Sequence, residues 1–243
     1  MSQNVTLLTI DSRDRTHITD STCDFFVNIV PGIEGAETIE LVNSSIPNSQ
    51  YNINSTNNVI LFNDGTNNTA QLPIGAYTAS TLATSLASLM SGVGTQTYTV
   101  VYNPLTFKLI ISAASSFSIL ATSSISPIIG LGPTTLTGTS LQLPFVVNLF
   151  GPSNFYVFID GMSSNCRGAN IYDYGTFVVP NNVNDDGTIS SFKSLSNYQM
   201  IQCNSGAMIS RLHIVIKTYG FVTFNNNGAN ISLTLKFNNK PYC

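Results

Sequence analysis

The chain has 243 residues, of which 43% are hydrophobic and only 9% are charged, and its formal net charge is -3. Soluble domains average about 25% charged residues, so this surface must be mostly neutral and polar. Such a surface is typical of a protein packed among neighbours in an assembly, or of a secreted β-protein. The charge balance argues against specific nucleic-acid binding, because there is no basic cluster. No segment reaches 18 uninterrupted apolar residues, so no membrane span is predicted.

The first predicted strand covers residues 5–10 and leads into the densest charge cluster of the chain, Asp11-Ser12-Arg13-Asp14-Arg15. Two interpretations of this cluster stay open. It is either a solvated loop or an arm that pairs with charges on a neighbouring subunit, although exposed ion pairs contribute little stability. On the second interpretation Arg13, Asp14 and Arg15 are candidate interface residues.

The next two strands are predicted from alternation around Phe25, Val27 and Ile29, and again at residues 38–42. Pro31-Gly32 predicts a turn between them. Phe26 and Val42 place apolar side chains on the outer side of these strands. We therefore expect part of this outer face to be covered, and we count both residues as candidate interface positions.

A different pattern occupies residues 51–139. A hairpin around Asp64-Gly65 precedes an apolar stripe at helical spacing, and a second hairpin surrounds Asn103-Pro104. The stripe comprises Leu82, Leu86, Leu89, Met90 and Val93, with Thr78 or Ser80 as N-cap and Gly92 or Gly94 at the end. These signals predict an inserted α+β module of ββαββ type, with residues 123–140 as its exit linker and a short packed turn near Ile125.

Strand signals return in the last hundred residues, at 145–149, 155–159, 176–179, 189–192, 198–203, 211–217 and 231–238. The clearest alternation is in 211–217, where Val215 is the one apolar residue on the polar side and a further candidate interface residue. The turn Asn225-Asn226-Asn227-Gly228 separates this strand from the one at 231–238, and we expect the two strands to form a pair. The number of strands predicts a mainly β fold, an antiparallel β-sandwich of jelly-roll type. We expect this sandwich to comprise residues 1–50 and 140–243, and the inserted module to comprise residues 51–139.

Signals of chemistry are weak. His17 lies in the charged loop and His213 on the polar side of a strand, and common catalytic motifs are absent, so we expect no enzyme activity and no cofactor. The segment Asn182-x-Asn184-x-Asp186-Gly187 matches the first half of a calcium loop, but Lys193 replaces the final Glu, and we interpret it as a turn. The four scattered cysteines, Cys23, Cys166, Cys203 and Cys243, predict free thiols rather than a zinc site or a disulfide framework.

Several segments resemble the single jelly-roll penton and minor capsid proteins of large double-stranded DNA viruses and virophages. They are Asp11-Ser12-Arg13-Asp14-Arg15 followed by Asp24-Phe25-Phe26-Val27, the stretch Ile46-Pro47-Asn48-Ser49-Gln50-Tyr51-Asn52-Ile53, the helix entry Gly75-Ala76-Tyr77, and the hairpin at residues 98–108. The resemblance implies a jelly roll at the capsid surface, five copies closing each icosahedral vertex, and an insert that projects outward.

The resemblance also implies the partners and the compartment. We expect a homopentamer that contacts the neighbouring major capsid protein in the virion, assembled in the reducing cytoplasm of the host, where cysteines stay unpaired. Two alternatives stay open beside the penton. One is a minor capsid protein that cements capsomers; the other is a carbohydrate- or receptor-binding β-sandwich that uses Tyr and Asn side chains of the insert.

Overall fold

The computed structural model describes residues 4–160, 162–164, 175–181, 189–193, 200–203, 208–220 and 222–239. The chain divides into two compact units. The first, here called the sandwich unit, comprises Met1–Gln50 and Gly151–Cys243, and the second, here called the insert unit, comprises Tyr51–Phe150.

Two helices, α1 (Ala79–Val93) and α2 (Ser126–Ile129), are found among the described residues. In chain order the described strands are β1 (Asn4–Asp11), β2 (Asp24–Ile33), β3 (Ala36–Pro47), β4 (Val59–Asn63), β5 (Asn67–Gln71), β6 (Tyr98–Asn103), β7 (Lys108–Ile119), β8 (Leu136–Gln142), β9 (Asn154–Ile159), β10 (Ser163–Ser164), β11 (Gly175–Pro180), β12 (Ile189–Lys193), β13 (Met200–Gln202), β14 (Ile209–Lys217) and β15 (Ser232–Asn239).

The sandwich unit consists of two antiparallel sheets. Sheet A has the order β1-β15-β3-β13-β10, with β12 also pairing to β3, and sheet B has the order β11-β9-β14-β2. Their inner faces supply one core, in which Phe25, Phe155 and Phe177 of sheet B lie with Ile39 and Phe237 of sheet A. Since each fully buried side chain of this size contributes roughly 1.5–3 kcal/mol, this core holds the sheets together. The predicted mainly β sandwich is confirmed.

Two details of the sandwich unit differ from expectation. The segments 211–217 and 231–238 were expected to follow one another as neighbouring strands, but β14 lies in sheet B and β15 in sheet A. The predicted turn at Pro31-Gly32 is wrong, because β2 continues through it to Ile33 and the chain turns at Gly35, whose φ is +66°. Proline is tolerated there because β2 is an edge strand, on which one backbone N–H needs no partner.

The insert unit has its own sheet and its own core. The strand order is β5-β4-β7-β6. The long strand β7 pairs with β6 through its first half and with β4 through its end, and β8 pairs along its opposite edge. The predicted helix is α1, and its buried residues Leu82, Leu86 and Met90 belong to the same core as residues of β4, β6 and β7. Thr78 forms a capping box with Thr81, and Gly94 ends the helix. The hairpin prediction around Asp64-Gly65 matches β4 and β5.

The end of the insert unit differs from the predicted boundary at residue 139. The segment 123–140 is not a plain linker, since it contains α2 and most of β8. The predicted strand at 145–149 is also wrong, because Pro144 interrupts regular pairing and the segment instead follows β7. There the Leu143 N–H donates to Leu109 O (2.9 Å) and the Val147 N–H to Phe107 O (2.8 Å). The side chains of Leu143 and Val147 are buried in the insert core, and the insert unit therefore extends to Phe150.

Candidate functional site

The charge cluster after β1 forms a compact loop. Asp11 caps a short 3₁₀ helix, Ser12–Asp14, by accepting from the Arg13 N–H at 2.9 Å, and its carboxylate also accepts from the Arg13 guanidinium at 2.8 Å through each oxygen. The hydrogen-bonded guanidinium of Arg13 holds the pKa of Asp11 below its ordinary value. Arg15 donates to the carbonyls of Ser12 (2.8 Å) and Ile18 (3.0 Å), while Asp14 is exposed.

The same loop is anchored to the sandwich unit. The Ser12 N–H donates to Ile231 O at 2.9 Å, and the Ile231 N–H donates back to Ser12 Oγ at 3.0 Å. Farther along, the Thr16 N–H donates to Phe26 O at 2.7 Å. These bonds hold the loop against Ile231, just before β15, and against β2, and the two arginines are engaged within their own chain. Pairing of Arg13, Asp14 and Arg15 with a neighbouring subunit therefore remains a prediction.

Phe26 lies on the outer face of sheet B, between two side chains of β14. Its ring stacks on the His213 imidazole, with centroids 4.1 Å apart and planes 13° from parallel, and the Arg211 guanidinium carbon lies 4.0 Å from the same ring centroid. A cation close to an aromatic face is attracted by the ring quadrupole. The apolar surface of Phe26 is thus partly covered by its own sheet.

His213 links three strands of sheet B. Its Nε2 lies 2.8 Å from Asp24 Oδ1, at the start of β2, and its Nδ1 lies 3.2 Å from Asp160 Oδ2, just after β9. Both ring nitrogens therefore face carboxylates, an arrangement that orients the imidazole and joins β2, β14 and the end of β9. His17 lies in the exposed part of the charged loop.

Val215 lies on the same outer face and is only 8% exposed. It is paired with Phe158 of β9, and the Lys217 ammonium lies 4.7 Å from the centroid of the Phe158 ring. Val42 lies instead in sheet A, at a bulge of β3 between the pairs Asn43–Thr234 and Leu41–Leu235. Of the predicted interface residues, Phe26 and Val215 share the outer face of sheet B. The charged loop is hydrogen-bonded to the backbone of β2 at Phe26, and Val42 lies in the other sheet.

The described segments contain few side chains suited to metal or thiol chemistry. No group of three His, Cys, Asp or Glu side chains suited to a metal ion occurs there, and neither α1 nor α2 has the length and apolar character of a membrane-crossing helix. Cys23 and Cys203 are free, and burial raises their pKa to about 12 and about 11. Cys166, Cys243 and the turn at residues 182–187 lie outside the described residues.

Sequence reasoning missed an apolar flank on the sandwich unit. Leu7 of β1 and Val30 of β2 are 64% and 91% exposed, and Val30 lines an open cleft of about 480 Å³ together with Thr6 and Leu8 of β1. The sequence of residues 5–10 does contain a sign of this flank. Apolar residues occur at both odd and even positions of the strand, so that Leu8 faces inward and Leu7 faces outward. The predicted turn at Pro31-Gly32 hid the exposed end of β2.

Comparison with known proteins identifies the fold. No protein-family model matches the chain, and no curated protein matches it in sequence. Among solved structures, the crystal structure of the mavirus penton protein matches with a TM-score of 0.54 and 10% sequence identity, covering 98% of this chain and 100% of that chain. The chain therefore has the fold of the mavirus penton protein over nearly its whole length, insert unit included.

Proposed function

We propose that this protein is a structural capsid protein, the penton that closes the five-fold vertices of an icosahedral virion, and that it is not an enzyme. One observation carries the proposal: the likeness to the mavirus penton protein covers both chains almost completely, so it includes the inserted unit as well as the sandwich. In this proposal the sandwich is of jelly-roll type, five copies form a closed ring, and the ring contacts the major capsid protein.

The chemistry of the chain supports this role. With 9% charged residues, copies packed side by side meet little like-charge repulsion. The long-range pairing of β1 with β15 and of β2 with β14 makes the sandwich a preformed block that can be placed in a ring without folding on assembly. Head-to-tail contacts close into a ring when the rotation per copy divides a full turn.

Cryo-electron microscopy of the particle tests the proposal. Density at the five-fold axis should be built unambiguously from this sequence, with five copies per vertex. Density for the chain between capsomers, and not at the axis, would replace the penton with the cement protein. Absence from the shell combined with a monomeric, ligand-binding state in solution would instead favour the carbohydrate- or receptor-binding module.

A further inference from the structure

Two edge strands share one flank of the sandwich unit. β1 is the terminal strand of sheet A and β2 is the terminal strand of sheet B. Thr6 and Leu8 of β1 line the open cleft together with residues 29–33 of β2, which places both edges on the same side. We call this surface the β1/β2 flank: residues 4–10 of β1, residues 29–33 of β2, and the cleft between them.

The two edges of this flank differ in how they are protected. β2 is blocked against strand addition by Pro31, which has no N–H, and by Thr16, whose N–H and hydroxyl both donate to Phe26 O. β1 has neither device: its described pairing is to β15 alone, and residues 4–10 contain no charge and no proline. Natural proteins normally guard long edge strands with charges or proline, because an open edge pairs with other chains.

The cleft adds a side-chain site next to the open edge. Its lining is apolar at Leu8, Ile29, Val30 and Pro31, and among the described residues that line it Glu34 alone is charged. A volume of about 480 Å³ accommodates one or two bulky apolar side chains. An added strand has alternate side chains on opposite faces, so a strand on β1 would direct every second side chain towards this cleft.

The size and charge of the flank indicate its occupant. The eight residues of β1 span about 27 Å, and two layers about 10 Å apart make a flank on the order of 300 Å² per partner. A standard stable interface buries about 800 Å² per partner, so one such contact is weak. A weak contact whose described lining residues carry a single charge, Glu34, is suited to identical copies that meet it repeatedly around a closed ring, where each copy is held on two sides.

We propose that the β1/β2 flank is the docking surface for a second copy of this chain, which adds an extended segment to the edge of β1 and inserts an apolar side chain into the cleft. The proposal rests on the proposed function, because the ring supplies the second contact for each copy. It assigns Leu7 and Val30 as contact residues and predicts that they become buried on assembly.

A matched pair of double variants of the full chain tests the contact. Leu7→Lys with Val30→Lys places two ammonium groups on the flank. Leu105→Lys with Val222→Lys makes the same chemical changes at residues that are 89% and 65% exposed elsewhere. Sedimentation velocity from micromolar to millimolar protein should show self-association of the wild type, weakened tenfold or more by the flank pair and less than twofold by the control pair. Equal effects of the two pairs, or a wild type that stays monomeric throughout, would overturn the proposal.

A photo-crosslinker at Val30 provides a second readout that does not depend on stability. In the assembled particle, mass spectrometry should find Val30 joined to another copy of this chain, whereas a crosslinker at Leu105 should not give that product. Crosslinks from Val30 to a different capsid protein would overturn the proposal. If five copies occupy the vertex but Val30 lies away from the contact, this inference fails and the penton stands; if the chain is absent from the vertex, the proposed function itself fails.

Discussion

In the insert unit, the Asp64 carboxylate joins the turn between β4 and β5 to the end of α1 and the start of β6. It accepts from Asn68 Nδ2 at 2.7 Å, from the Thr95 N–H at 2.7 Å and from the Tyr98 hydroxyl at 3.0 Å. Burial acts to raise the pKa of Asp64, but the bonds from Thr95, Tyr98 and Asn68 outweigh it and hold the pKa below its ordinary value of 3.8. A Cβ at Gly94 would lie 2.9 Å from Asp64 Oδ2, so glycine is required beside it.

Asp64→Asn should destabilise the protein by about 1–2 kcal/mol, because its amide group places a donor against the Thr95 and Tyr98 donors. Urea unfolding at neutral pH measures the loss. Asp14→Asn is the matched control: this exposed carboxylate should change the free energy of unfolding by less than about 0.5 kcal/mol. Equal effects of the two substitutions would show that the Asp64 bonds contribute nothing specific.

The same carboxylate gives a signed pH dependence. Because its folded-state pKa is depressed, its contribution is complete above the unfolded-state value and is lost as the pH falls through the folded value. The stability difference between wild type and Asp64→Asn should therefore be constant near neutral pH and shrink below about pH 4. A difference that grows on acidification would contradict this assignment.

All four cysteines should titrate as free thiols in the denatured, unreduced protein. In the folded protein Cys23 and Cys203 should react slowly at pH 7, since burial raises the pKa of each thiol to about 12 and about 11 and the thiolate is the reactive species. Ellman titration with and without denaturant measures both quantities. A denatured count of two or zero would reveal disulfides and an oxidising compartment.

At the scale of single elements, α1 is held by its buried stripe more than by its ends. Leu86 is fully buried while Leu89, on the same helix, is partly buried. Leu86→Ala should cost about 2–5 kcal/mol through lost burial and a cavity, and Leu89→Ala markedly less. Thermal or urea unfolding of both variants measures the two losses of stability. Leu89→Ala would cost more than Leu86→Ala if the helix packed through a different face.

Periodicity predicted those elements whose pattern is local. The stripe of α1, the hairpin at Asp64-Gly65 and the alternation of β14 depend on spacing that is visible within about fifteen residues. The failures involve pairing over longer distances. For example, β14 and β15 belong to different sheets, and Leu143 and Val147 pack in the insert core. Both facts depend on pairing partners that the local sequence does not specify.

The surroundings of the candidate interface residues were predicted less well than the fold, for a related reason. Phe26 and Val215 were correctly placed on an outer face, but the sequence does not reveal that Arg211, His213 and Lys217 cover much of that face. Conversely, Val30 directly precedes the predicted turn at Pro31-Gly32 and was not among the predicted surface positions, although it is the most exposed apolar side chain of its strand. Exposure depends on the tertiary neighbours, which residue type and alternation do not identify.

At the scale of the whole molecule, each unit has a separate core. The sandwich core combines residues from 10 to 46 with residues from 155 to 237, whereas the insert core runs from Ile53 to Val147. The strands named in each sheet belong to one unit only. The sandwich unit should therefore fold without the insert, provided that the excision follows the observed boundary.

Two excisions separate this expectation from the boundary predicted by sequence. Replacing residues 51–150 with a short Gly/Ser linker should leave a sandwich that unfolds in one cooperative transition. Replacing only residues 51–139 should leave Leu143 and Val147 without the core in which they are buried, and exposed apolar segments promote aggregation. Urea unfolding followed by circular dichroism, with light scattering, compares the two.

If neither variant unfolds cooperatively, the sandwich core depends on the insert. If the shorter excision is the better-behaved protein, residues 140–150 belong functionally to the sandwich, and the insert unit ends before Ser140.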